Sequence, residues 1–330
     1  MKRLSFFIMF IAYLAQGQDI HFSQFDYNPI FQNPGNVGLF DGDYRFHANY
    51  RDQWRSVTVP FQTLSISAEA KNVYKSLSFG LFLMNDVVGD GKFRTIEVAP
   101  SVAYVIKLTA DSAHVIRPAI QMGLNYRQFD ADAFQFDNQW NGVFFDPTLP
   151  TNEVFQTERK SNFTLGLGAS YEYIKSPRKR LVAGIGLFNI NRPNQGFFGE
   201  TINRERRLNA FARVHYEIGF DWDIIPSLQM NFQGTYREVI IGSQARYILV
   251  DRLGDYKAFY LGAYLRGGDA GYLMAGMDYQ NWWGGISYDL NFSKLYVASR
   301  ARGGLELSVR YIIKSVKKRD IFYRVCPDYI

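Results

Sequence analysis

The chain has 330 residues, 47% of them hydrophobic, and after its leader no apolar run approaches the roughly twenty residues that a membrane helix needs. Its formal net charge of +6 falls to +4, 35 basic against 31 acidic residues, once a leader carrying Lys2 and Arg3 is set aside. That excess is too small to argue for nucleic acid, and a single cysteine, Cys326, excludes an internal disulfide or a Cys-based zinc site.

Lys2 and Arg3 precede a short apolar core, Leu4 to Leu14, and Ala15-Gln16-Gly17 offers a small-x-small cleavage site. Residues 1–17 therefore read as a secretory signal peptide, with the mature chain starting at Gln18. Residues 18–42 are irregular and rich in aromatics, Asn and Pro, fit either to lie in the periplasm or to fold into a pore as a plug. Residues 43–313 carry the main pattern, and 314–330 form a C-terminal tail expected in the periplasm.

That pattern is two-residue alternation, clearest over 114–127. Ile116, Pro118, Ile120, Met122, Leu124 and Tyr126 fall on one face of an extended strand; Arg117, Gln121, Asn125 and Arg127 fall on the other. Fourteen such segments are expected, at 44–51, 61–69, 77–84, 95–107, 115–127, 162–173, 181–190, 208–217, 225–236, 238–250, 258–266, 272–279, 284–291 and 304–313. An even set of one-face-apolar strands predicts an all-β fold, a transmembrane antiparallel β-barrel with apolar residues outward and polar residues inward. Aromatics, 17% of the chain, suit its interfacial girdles.

The connections alternate in length, which predicts long extracellular loops and short periplasmic turns, with both termini periplasmic. Long loops span 129–161, 191–207 and 292–303; tight turns on the same side are expected near Arg237 and Asp269. Inward charges are expected at Arg45, Arg51, Glu97, Arg117, Arg127, Arg213, Glu217, Arg246, Glu306 and Arg310, where mixed signs can hold a plug, tune solute passage or brace the wall. Gly166, Gly168, Gly184 and Gly186 also point inward on adjacent strands. They suit either close approach by the N-terminal segment or the 129–161 loop, or relief of curvature.

Catalytic and metal constellations are weak. His47 and His215 lie on opposite walls, no histidine pair has i, i+4 spacing, and no Gly-x-Ser-x-Gly elbow occurs. His215 with Glu217 could form a base–orienter pair, although ordinary lumen solvation explains both. Asp86 with Asp90-Gly91 falls short of calcium-loop spacing, and Asp90-Gly91 fits a hairpin turn better. No cofactor, metal site or enzymatic activity is expected.

Several motifs carry a family resemblance. Phe22-Ser23-Gln24 leads to Asn28-Pro29 and Asn33-Pro34-Gly35, then to Tyr50-Arg51-Asp52-Gln53-Trp54. Tyr236-Arg237-Glu238, Tyr264-Leu265-Arg266 and Asp269-Ala270 follow, with Ser287-Tyr288-Asp289, Ser293-Lys294-Leu295, Glu306 and Cys326-Pro327 near the end. This resembles the PorP/SprF family of type IX secretion system membrane proteins from Bacteroidetes, across the mature chain. One departure is Gly35, where the family commonly has alanine. The resemblance implies a non-enzymatic outer-membrane protein. Its implied partners are outer-membrane lipid, type IX secretion components and a surface adhesin or other cargo bearing a C-terminal sorting domain, gliding adhesins included. A channel for small solutes is the alternative reading.

Overall fold

The computed structural model describes residues 19–55, 59–153, 157–197, 199–252, 254–292 and 302–314. The leader, Ser293-Lys294-Leu295, Cys326-Pro327 and the tail beyond Lys314 lie outside the described residues.

Alternating side chains build fourteen strands. They are β1 (Tyr44–Gln53), β2 (Phe61–Tyr74), β3 (Leu77–Val88), β4 (Phe93–Tyr104), β5 (His114–Gln128), β6 (Arg159–Ser176) and β7 (Lys179–Phe188). Then follow β8 (Arg207–Glu217), β9 (Trp222–Gln233), β10 (Tyr236–Arg252), β11 (Asp255–Arg266), β12 (Ala270–Tyr279), β13 (Trp282–Asn291) and β14 (Arg302–Ile313). Beyond Val105, the short piece Ile106–Lys107 continues β4 against the same partner. Each strand pairs antiparallel with its chain neighbour, and β1 pairs with β14, Arg51 opposite Glu306, so the sheet closes into a barrel without edges.

The expected sorting of side chains is realised. On β5, Ile120, Met122 and Leu124 are 52%, 52% and 63% exposed on the outer face, while Gln121 and Asn125 are buried inside. No helix of the described residues is long and apolar enough to cross a membrane; the strands are the elements that cross it. Exposed Tyr44, Tyr74, Tyr104, Trp222, Tyr279 and Trp282 sit near strand ends at the short-turn mouth, as an interfacial girdle requires.

All fourteen expected strands exist, and the differences lie at their ends. The tight turn expected near Arg237 is two residues earlier, at Gly234-Thr235, because Gly234 (φ 56°) takes the left-handed conformation that reverses the chain. Arg237 and Tyr236 belong to β10. Strand β7 stops at Phe188 instead of running to residue 190, since Asn189 (φ 56°) turns out of the ladder. The long connections, from Gln128 to Arg159 and from Phe188 to Arg207, leave the same mouth, and the strand connections at the opposite mouth are short turns among the described residues.

Candidate functional site

Residues 19–40 lie inside the ring. A turn of 3-10 helix at Phe25–Tyr27, a single α-turn at Pro29–Gln32 and a second 3-10 turn at Pro34–Asn36 fold the segment compactly. Phe22, Ser23, Gln24, Asn28, Pro29, Asn33 and Pro34, all singled out in the sequence, are buried there.

The segment is latched at several points around the wall. At the first, the backbone N–H groups of Ser23 and Gln24 donate to the two carboxylate oxygens of Glu306 (2.7 and 3.0 Å). Arg51 donates to Glu306 (2.8 Å), to Asp289 (2.8 Å) and to the Ser23 hydroxyl (2.5 Å). Ser23 Oγ lies 2.7 Å from Asp289, and the Gln24 amide donates to Ser287 Oγ (3.1 Å) and the Glu306 carbonyl (2.9 Å). Arg266 completes the cluster, donating to Ser23 Oγ (3.0 Å) and approaching Glu238 (3.3 Å) and Asp289 (3.5 Å). Two guanidinium groups thus meet three carboxylates in a nearly water-free setting, where each ion is tolerable only because the others are present.

A second latch uses close approach. Asn33 Oδ1 accepts from the Gly35 N–H (2.7 Å), Asn33 Nδ2 donates to the Ala169 carbonyl (3.2 Å), and Ser170 Oγ donates to the Gly35 carbonyl (2.6 Å). A Cβ on Gly168 would stand 2.2 Å from Asn33 Oδ1, and one on Gly184 would stand 2.9 Å from Asn33 Nδ2. These inward glycines are where the N-terminal segment touches β6 and β7.

Apolar contacts fill the space between the latches. Ile30 and Val37 join Phe82, Met84, Ala99, Ala103 and Ala119 of β3, β4 and β5. Tyr27 stacks on Trp283 of β13 at 3.5 Å with a 7° interplanar angle, and Phe25 meets Tyr264 edge-on. Near β1, Arg45 clamps Glu69 (2.8 Å from both Nε and Nη2), and Glu69 also accepts from the Gly38 N–H.

The first described residue, Asp19, sits at the mouth that carries the long loops. Its carboxylate meets Arg204 of the β7–β8 connection (2.9 Å) and Asn189 (3.1 Å), and its N–H donates to Gln233 (2.8 Å). Burial alone would raise the Asp19 carboxyl, but Arg204 and Arg207 outweigh it and hold the pKa at about 2. Burial, with Arg266 and Arg51 beside it, keeps His21 well below the usual histidine range and therefore uncharged at neutral pH.

The ten inward charges expected from the sequence do not gather into one cluster. Only Arg51 and Glu306 pair with each other. Arg117 pairs with Glu172 (2.6 Å), Arg213 with Asp26 (3.3 Å), Arg310 with Asp278 (2.6 Å) and Arg246 with Asp223. Glu217 engages Arg178 and Lys179, so it does not orient His215. Arg127 lies over Phe93 and bonds Gln195. Most of these charges find a partner on a nearby strand or on the inner segment, while Arg127 reaches the β7–β8 connection. Of the remaining motif residues, Tyr50 and Tyr288 belong to the outer face, whereas Gln53 and Trp54 line the long-loop mouth.

Arg266, Glu238, Arg204 and Asp19 were not among the charges named from the sequence. Glu238 and Arg266 had a signal, since both stand on the inward parity of their strands and within quoted motifs. Arg204 had none, because it belongs to a loop.

Above the inner segment a vestibule of about 1000 Å³ opens at the long-loop mouth, floored by Asp19, Ile20, His21 and Phe31. A closed, lipid-facing barrel whose interior holds its own N-terminal segment defines an outer-membrane β-barrel protein. Residues 14–311 match the model of the type IX secretion system membrane protein PorP/SprF family, and the chain belongs to that family as an outer-membrane component of type IX secretion. No curated protein matches. Among solved structures, the toluene transporter TbuX of Ralstonia pickettii is similar at 10% identity and a TM-score of 0.51, over 87% of this chain and 94% of that one. The monoaromatic hydrocarbon channel CymD is similar at 9% identity and a TM-score of 0.51, over 88% and 93%. At such identities the likeness is one of fold.

Proposed function

We propose that this protein is a non-enzymatic docking barrel of the type IX secretion system, supporting export or surface attachment of cargo that bears a C-terminal sorting domain, a gliding adhesin among the candidates. The observation that carries this reading is the filled lumen. Residues 22–40 occupy the cross-section and are bonded to β1, β2, β6, β13 and β14, which suits a rigid scaffold better than a solute path. In this reading the long loops face the cell exterior and the short turns the periplasm. The vestibule and the loops around it are then the surface offered to a partner.

Affinity isolation from outer membranes tests it. Recovery of type IX components, or of a polypeptide ending in a sorting domain, is the expected result. A strain lacking the protein that still releases cargo and displays adhesins normally contradicts it. The solute-channel reading gains support from the fold of TbuX and CymD alone, and the filled lumen opposes it.

A further inference from the structure

Asp86 differs from every other buried or half-buried strand carboxylate among the described residues. Each of those has an Arg or Lys within 4 Å: Asp52 has Arg55, Glu69 has Arg45, Glu97 has Arg204, Glu172 has Arg117, Glu217 has Arg178, and Asp223 has Arg246. Glu238, Asp278, Asp289 and Glu306 are likewise paired. Asp86 is 5% exposed and accepts only the Thr63 hydroxyl, 2.6 Å from Oδ1 across the β2–β3 ladder. A buried carboxylate is normally paired, because desolvating it alone is costly.

Asp86 also lines the vestibule, together with Thr63, Phe61 and Trp54. Trp54 and Phe61 stack with centroids 6.0 Å apart. Trp54 holds φ at 65°, a left-handed conformation that costs a bulky residue energy and persists where the surroundings impose it. Two lumen cations stand equally near by register: Arg51, reached through Thr63 and committed to Asp289 and Glu306, and Arg127, reached through Thr95. Arg127 lies over Phe93 and bonds Gln195. An open carboxylate beside aromatic faces, in a recess at the long-loop mouth, is the chemistry that recognises an organic cation.

We propose that Asp86, Thr63, Trp54 and Phe61 form a subsite for a cationic side chain, the ammonium of a lysine or the guanidinium of an arginine, on a polypeptide that enters the vestibule. The cation pairs with the free oxygen of Asp86, and its aliphatic stem lies against Trp54 and Phe61. This rests on the partner-docking reading above and names one chemical determinant of the partner.

Titration calorimetry of the full-length barrel in detergent tests it with three probes: a blocked lysine tripeptide, the same peptide acetylated on Nζ, and putrescine. Saturable binding of the lysine peptide is expected, with none for the acetylated form. In Asp86→Asn affinity falls roughly tenfold or more, as expected for a lost charge-assisted bond, and Asp86→Glu restores part of it. Trp54→Leu, which keeps the carboxylate, weakens binding and serves if Asp86→Asn does not fold; the mobility shift of unboiled barrel on gels reports folding. Putrescine binding as tightly as the peptide overturns the polypeptide assignment in favour of free amines. Equal binding of the acetylated peptide, or full affinity in both Asp86→Asn and Trp54→Leu, overturns the subsite. Loss of cargo recovery from membranes with lysine-peptide binding intact would instead count against the docking reading alone.

Discussion

Arg51 is the residue on which the inner latch turns. It is 1% exposed and holds Asp289 and Glu306 at once. Replacing it by methionine leaves two carboxylates buried with only Arg266 nearby, a change expected to cost about 3–5 kcal/mol. Urea unfolding of the variant in detergent reads that loss, and an unchanged midpoint contradicts the latch. Gly35 makes the second residue-scale case. A Cβ there would stand 2.7 Å from both the Ala169 carbonyl carbon and the Ser170 nitrogen, so restoring the alanine common in the family forces backbone apart. Gly35→Ala is expected to destabilise by about 1–3 kcal/mol in the same measurement. The departure from the family pattern thus has a physical reason: in this chain the turn lies directly on β6.

At the scale of elements, strands and inner segment follow different rules, and this decides what could be read in advance. The strands were legible because burial on one face imprints a period of two, as Leu305, Leu307 and Val309 against Glu306 and Ser308 show. Their ends were not, since Gly234 and Asn189 stop a ladder through backbone conformation and carry no periodic signal. The inward glycines fitted either a second backbone's approach or relief of curvature, and only the folded chain puts Asn33-Pro34-Gly35 against Gly168 and Asn33 against Gly184. The Ser23–Arg51–Asp289–Glu306 cluster joins positions up to 283 residues apart and depends on β1 meeting β14. Asp86 was grouped with Asp90-Gly91 by sequence proximity; strand parity turns it inward while those two stay in the turn.

The inner segment is also where pH acts. Asp19 titrates near 2 in the folded chain against an ordinary 3.8, so its ion pairs contribute stability above the ordinary value. That contribution, about 2 kcal/mol, is lost as pH falls from about 4 toward 2. Pepsin cleavage near residue 19 is therefore expected to rise on acidification through that window. Asp19→Asn, which cannot titrate, should be cleaved to the same extent across it. Wild-type cleavage that is flat over the window contradicts the role of the Arg204 pair.

For the molecule as a whole, the outer surface, the closed ladder and the filled interior make one argument. A closed sheet removes every edge, the lipid face is apolar, and residues 22–40 of the chain's own N-terminal segment are packed into the polar interior. The vestibule stops at that floor. Planar-bilayer recording of the purified full-length protein, beside a variant lacking residues 19–40, is the most direct trial. The intact barrel should be electrically silent and the shortened one should pass a large, steady current. Steady conductance through the intact barrel, unchanged by the deletion, would show that the inner segment does not close the pore.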